Sequence, residues 1–128
     1  MTGKDLIMQL TLEQGPGRIT QVQPPLQAWR YYFKVNLNNP PDLRLKNKKS
    51  SKSPIQIRPV VEHDHNWTVE INGAQIERPA IIRFRRVGAL SYEYWIYGQN
   101  DTEFDHCNWV LNNFPNPRHN KGRKWLIV

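Results

Sequence analysis

Arg30, Tyr32 and Lys34 alternate along the stretch Gln27–Leu37, QAWRYYFKVNL. At the two-residue period of a β-strand they share one face with Ala28 and Asn36. Trp29, Tyr31, Phe33, Val35 and Leu37 take the other face and ask for a core. Cations neutralise phosphates and release counterions, while exposed aromatic rings stack on unpaired bases. A face that mixes the two suits single-stranded DNA or RNA better than a duplex major groove, which admits a helix or a ribbon. Arg83 and Arg85 share a second strand face, with Arg86 beside them. Arg44, Lys46, Lys48, Lys49 and Lys52 crowd a stretch whose one acid is Asp42. The expected contact set is therefore Arg30, Tyr32, Lys34, Lys46, Lys48, Lys49, Lys52, Arg83, Arg85, Arg86, Lys121 and Arg123. The same cations would also serve a plainer end, keeping a β-protein soluble and its edges unpaired.

A second group is His63, Asp64 and His65, with His106, Cys107 and His119 elsewhere in the chain. Imidazole, thiolate and carboxylate suit zinc or a hydrolytic metal, so a metal-dependent hydrolase is one alternative reading. An HxH pair on a turn is usually solvated, and Cys107 lies on an apolar helical face, so no metal and no other cofactor is expected. Asp42 and Lys46 flank Arg44 where a metal-dependent nuclease would need a further carboxylate. Gly15-Pro16-Gly17 is a turn, because Pro16 lacks the amide a phosphate cradle would use. Catalysis is accordingly not expected. Trp109 falls off the apolar face of its helix, and an exposed tryptophan can anchor a protein partner. A protein-interaction module, or a small subunit of a larger complex, is the other alternative.

The elements that must position these residues fit one domain of 128 residues, long enough to bury a core without staples. The net charge of +7 and a pI near 9.8 favour polyanionic partners. One cysteine excludes an internal disulfide and any CxxC metal knuckle. A mean hydropathy of -0.72, with no apolar run near the ~20 residues of a membrane-spanning helix, predicts no membrane partner. The segment MTGKDLIMQLTLEQ lacks the apolar centre of a secretion signal, so a cytoplasmic location is expected.

Residues 5–13 alternate as a half-buried strand, and Gly15-Pro16-Gly17 would turn it into a hairpin with Arg18–Gln23. Pro24-Pro25 ends that hairpin, and the strand 27–37 follows. Asn38–Pro54 reads as a long, mobile, basic loop. Ile55–Glu62 is a strand with Pro59 at an edge or bulge. Trp67, Val69 and Ile71 lead into Asn72-Gly73, a strong hairpin signal. Ala80–Val87 and Ser91–Tyr97 form a second hairpin about Gly88-Ala89. The period then changes. Phe104, Cys107, Val110, Leu111 and Phe114 share a helical face over residues 102–114, capped by Asp101 or Thr102. A basic loop and a short strand at 125–128 follow. The expected fold is α+β, mainly antiparallel β, with seven or eight strands in a curled or barrel-like sheet and one C-terminal helix.

Overall fold

A computed structural model describes residues 5–10, 21–62, 66–71, 79–114, 118–120 and 123–128. The protein is mostly β, with one longer helix near the C-terminus and one short helical segment, and the sheet is not closed. The strands are β1 (Asp5–Leu10), β2 (Gln21–Val22), β3 (Leu43–Asn47), β4 (Ile55–Ile57), β5 (Val60–Glu62), β6 (Asn66–Glu70), β7 (Ala80–Gly88), β8 (Ser91–Gly98), β9 (Arg118–Asn120) and β10 (Arg123–Ile127). The helical parts are α1 (Leu26–Ala28), which runs on into a π-helical turn (Trp29–Phe33), and α2 (Thr102–Asn113).

A seven-stranded sheet runs β4-β3-β8-β7-β1-β10-β9, and a smaller one runs β2-β6-β5. The β7–β8 hairpin forms as its alternation predicts, pairing Arg83 with Trp95 and Phe84 with Tyr94. The described pairs are antiparallel with one exception: β3 lies parallel to β8, with Leu45 opposite Tyr92. The sheet is thus mixed. The described residues of the expected first hairpin, β1 and β2, do not pair with each other. β1 pairs with β7 and β10, while β2 pairs with β6. Being central, β1 is buried on both faces: Leu6, Met8 and Leu10 join one core cluster and Ile7 the other. The turns at residues 15–17 and 72–73 lie outside the described residues.

The stretch 27–37 is the main departure from the sequence reading. It is helical at its start, because Pro25 stands at the helix N-cap in an extended conformation and Ala28, Trp29, Tyr32 and Phe33 form a helical stripe. Burying two adjacent positions per turn puts four side chains into the core, where a strand would have put alternate ones. Trp29 and Phe33 stack at 4.6 Å, Phe33 meets Phe84 and Tyr92 edge-on, and Tyr32 donates to the carbonyl of Phe84 at 3.2 Å. Aromatic contacts of this kind add ~0.5–1.5 kcal/mol each beyond area burial. The turn ends at Lys34, whose left-handed φ of 56° stops helical propagation. Tyr31, expected inside, is 55% exposed.

Residues 38–54 are not loop throughout, since Leu43–Asn47 form β3. Leu43 and Leu45 of β3 are buried against Tyr92 and Tyr94, which fixes this segment into the sheet. Two well-placed leucines outweigh the basic composition around them, since each buried leucine is worth ~1.5–3 kcal/mol. The expected strand 55–62 divides at Arg58-Pro59 into β4 and β5, and β4 is an edge strand.

One core lies between the main sheet and the α1–π turn with β2 and β6. The other lies under α2, where Cys107 and Leu111 pack on Ile7, Ile81 and Tyr97. Phe104 and Val110 flank this second core, whereas Phe114 is exposed. Asp101 occupies the N-cap position of α2 but makes no side-chain cap. Its carboxylate instead accepts from the Gly98 amide at 2.8 Å and from Lys49.

Candidate functional site

Cationic side chains gather on the sheet face that carries α2, beyond the helix itself. The pairing dictates which residues meet there. Lys46 stands opposite Glu93, Glu93 opposite Arg85, and Arg85 opposite Asp5. The result is a row of alternating sign across β3, β8, β7 and β1. Arg83 and Trp95 form the next row, and Arg44 extends the face along β3. Opposite charges facing each other across strands stabilise a sheet by roughly 0.2–1 kcal/mol per pair.

Asp5 is the fixed point of this surface. Its carboxylate is 7% exposed. Arg83 donates to it through Nε at 2.6 Å, and Arg85 through Nε and Nη2, each at 3.1 Å. Burial alone would raise the Asp5 carboxyl, but the hydrogen bonds and charges of Arg85 and Arg83 outweigh burial and hold it below its ordinary value. Arg85 lies over the Trp95 ring at 5.1 Å and keeps 45% of its side chain exposed. One carboxylate therefore orients two guanidiniums and neutralises only one of their charges. Each guanidinium has five N–H donors, so donors are left over for a further anion.

The turn between β3 and β4 borders this face. Lys46 donates to the carbonyls of Ser50, at 3.1 Å, and Lys52. Lys48 pairs with Glu93 at 3.3 Å. Lys49 bridges to Asp101 at 2.9 Å and donates to the Ile96 carbonyl at 3.0 Å, which ties the turn to the start of α2. The hydrogen bond from Lys49 is the main cause that lowers the Asp101 carboxyl. Lys52 is exposed and makes no ion pair among the described residues.

No family model matches this sequence, and no curated protein matches it either. A solved structure does. The fold is similar to the N-terminal domain of Helicobacter pylori LlaJI.R1, with a TM-score of 0.68 over 98% of this chain and 97% of that one. Sequence identity is 13%, so the likeness is one of fold.

The structure splits the expected contact set. Arg83, Arg85, Lys46, Lys48 and Lys49 come together around Asp5, Glu93 and Asp101, with Lys52 on the same turn. Tyr32 does not belong: it is fully buried, and burial pushes its phenol well above the ordinary value. Arg86 points to the opposite face from Arg83 and Arg85. It donates to the Tyr32 carbonyl and lies over the Tyr32 ring at 5.0 Å, so it closes the π turn. Arg30 and Lys34 are exposed, but they sit on the outer side of that turn, across the sheet from Arg83. Lys121 lies outside the described residues, and of Arg123 the structure describes the backbone, in β10.

Of the histidine group, the side chains of His106 and Cys107 are described. His106 is exposed while the neighbouring Cys107 is buried on the inner face of α2. Residues 63–65 lie outside the described residues. Among those described, no cluster of three potential ligands could hold a metal. No described helix is long and apolar enough to cross a membrane. Sequence reasoning missed Asp5 and Glu93. The parity of Asp5 with Ile7, and of Glu93 with Trp95, was a usable signal, but only the strand order puts both beside Arg85.

Proposed function

We propose that this protein is a nucleic-acid-binding module that grips the phosphate backbone with the sheet face of β3, β8 and β7. The observation that carries this reading is the buried Asp5 holding Arg83 and Arg85 side by side on an open face that Arg44, Lys46 and Lys48 extend. A pre-oriented guanidinium loses little conformational freedom when it takes a phosphate oxygen, and its fork matches that geometry. The net charge supports the same reading through long-range attraction. The loss of Tyr32 to the core removes the main base-stacking element, which shifts the weight from bases to backbone.

The test is fluorescence anisotropy with labelled single-stranded DNA, single-stranded RNA and duplex DNA across a salt series. Binding on the order of 10 μM near physiological salt is expected, weakening steeply as salt rises. An Arg44→Gln/Lys48→Gln variant should lower the salt slope by about 2, since each lost phosphate contact removes about one. Both residues are exposed, so the fold should tolerate the changes. Absence of binding to all three probes at low salt, or an unchanged slope in the variant, refutes the proposal.

A further inference from the structure

The outer side of the π turn carries a recess separate from the Asp5 surface. An open recess of about 390 Å³ lies between the helical stretch and the segment after it, lined by Leu26, Arg30, Lys34, Val35, Asn36 and Leu37. That volume falls in the range of small-molecule sites, roughly 300–1,000 Å³. Its chemistry is two-sided. Leu26, Val35 and Leu37 supply aliphatic walls, and Val35 and Leu37 are anchored by packing on the core. Arg30 and Lys34, four residues apart, supply positive charge, and neither makes an ion pair among the described residues. The Asn36 Oδ1 accepts from the Asn38 amide at 3.0 Å, which leaves the Asn36 amide nitrogen as a further donor. Among the described residues, no carboxylate lines the recess.

Two cations and an amide donor beside aliphatic walls select an anion with an apolar body. We propose that the recess binds an amphiphilic anion, a carboxylate or phosphate head on a short aliphatic chain. Arg30 takes two oxygens of the head with its planar fork, Lys34 adds a point charge, and the chain lies against Leu26, Val35 and Leu37. Among the described residues no ring lines the recess, so an aliphatic body fits better than a base that would need stacking. The site is across the sheet from Asp5 and stands or falls apart from the nucleic-acid reading.

The experiment is calorimetric titration of the whole chain with octanoate, octyl phosphate, 1-octanol and inorganic phosphate. Saturable binding of one octyl anion per chain is expected, with 1-octanol and inorganic phosphate each at least about tenfold weaker. The tighter of the two octyl anions identifies the head group. Arg30→Gln/Lys34→Asn should weaken it about tenfold or more, and Asn tolerates the left-handed backbone at position 34. Leu26→Ser should weaken it by severalfold through lost apolar contact. These residues are exposed, and a matching thermal melt certifies each variant. Arg44→Gln/Lys48→Gln should leave the binding unchanged. Equal binding of 1-octanol, an affinity untouched by Arg30→Gln/Lys34→Asn, or no saturable heat with either octyl anion overturns the proposal.

Discussion

Replacing Asp5 by Asn tests the arrangement on which the candidate site rests. The substitution keeps the shape of the side chain and removes its charge. Arg83 and Arg85 then face an amide with one acceptor oxygen in place of two, and an N–H₂ group points at guanidinium donors. Removing one partner of a buried ion pair costs ~3–5 kcal/mol. Here the carboxylate is buried but the arginines are partly exposed, at 27% and 45%, so water compensates for part of the loss. A loss of about 2–3 kcal/mol is expected. With a urea dependence of ~1.5–2 kcal/mol per molar for a domain of this size, the unfolding midpoint should fall by roughly 1–2 M. The pH dependence gives the sharper test. The folded-state pKa of Asp5 lies below its ordinary 3.8. Its contribution is therefore complete above the unfolded pKa and disappears as pH falls through the folded one. The gap between wild type and Asp5→Asn should be constant from about pH 5 to 8 and should close below about pH 4. An equal midpoint at pH 7, or a gap that persists undiminished at pH 3, would refute the reasoning.

Other predictions test other parts of the fold. Leu45→Ala, in a stretch whose composition reads as loop, should cost about 2–4 kcal/mol because it opens a cavity beside Tyr92, and a thermal melt would show it. Trp109→Ala should change stability by less than about 0.5 kcal/mol, since the indole is 60% exposed. Burial raises the phenols of Tyr32, Tyr92, Tyr94 and Tyr97, four of the chain's five tyrosines. Ultraviolet titration of the native protein should thus show far less phenolate near pH 10.5 than the urea-unfolded chain, and stability should fall as pH climbs above about 10. A native titration that overlays the unfolded one would count against the aromatic core.

The α+β class, the β7–β8 hairpin with its two faces, and α2 were legible in the sequence. Each is a local pattern: Ile82 and Phe84 against Arg83 and Arg85 at period two, and Cys107 with Leu111 at helical spacing. A charged face and an apolar face on one strand need no information from elsewhere in the chain. The exposure of Trp109 followed from the same kind of argument. The contact set was legible only in part. Lys46, Lys48, Arg83 and Arg85 meet as expected, whereas Arg30 and Lys34 belong to another surface.

What the chain could not settle by itself was pairing and the fate of ambiguous runs. Residues 27–37 satisfy both a strand period and a helical stripe. The helix won because Trp29, Tyr32 and Phe33 together fill the space over Phe84 and Tyr92, a volume that exists only once β7 and β8 are paired. Likewise β3 is ordered by the open edge of β8 beside it, and no composition of its own announces that. Asp5 became the centre of the candidate site because β1 was placed next to β7, some eighty residues away in the chain. Local hydrophobic period is a property of a segment, and so it can be read from sequence. Which segments lie side by side is a property of the packed whole, and the charge pairs and recesses depend on that.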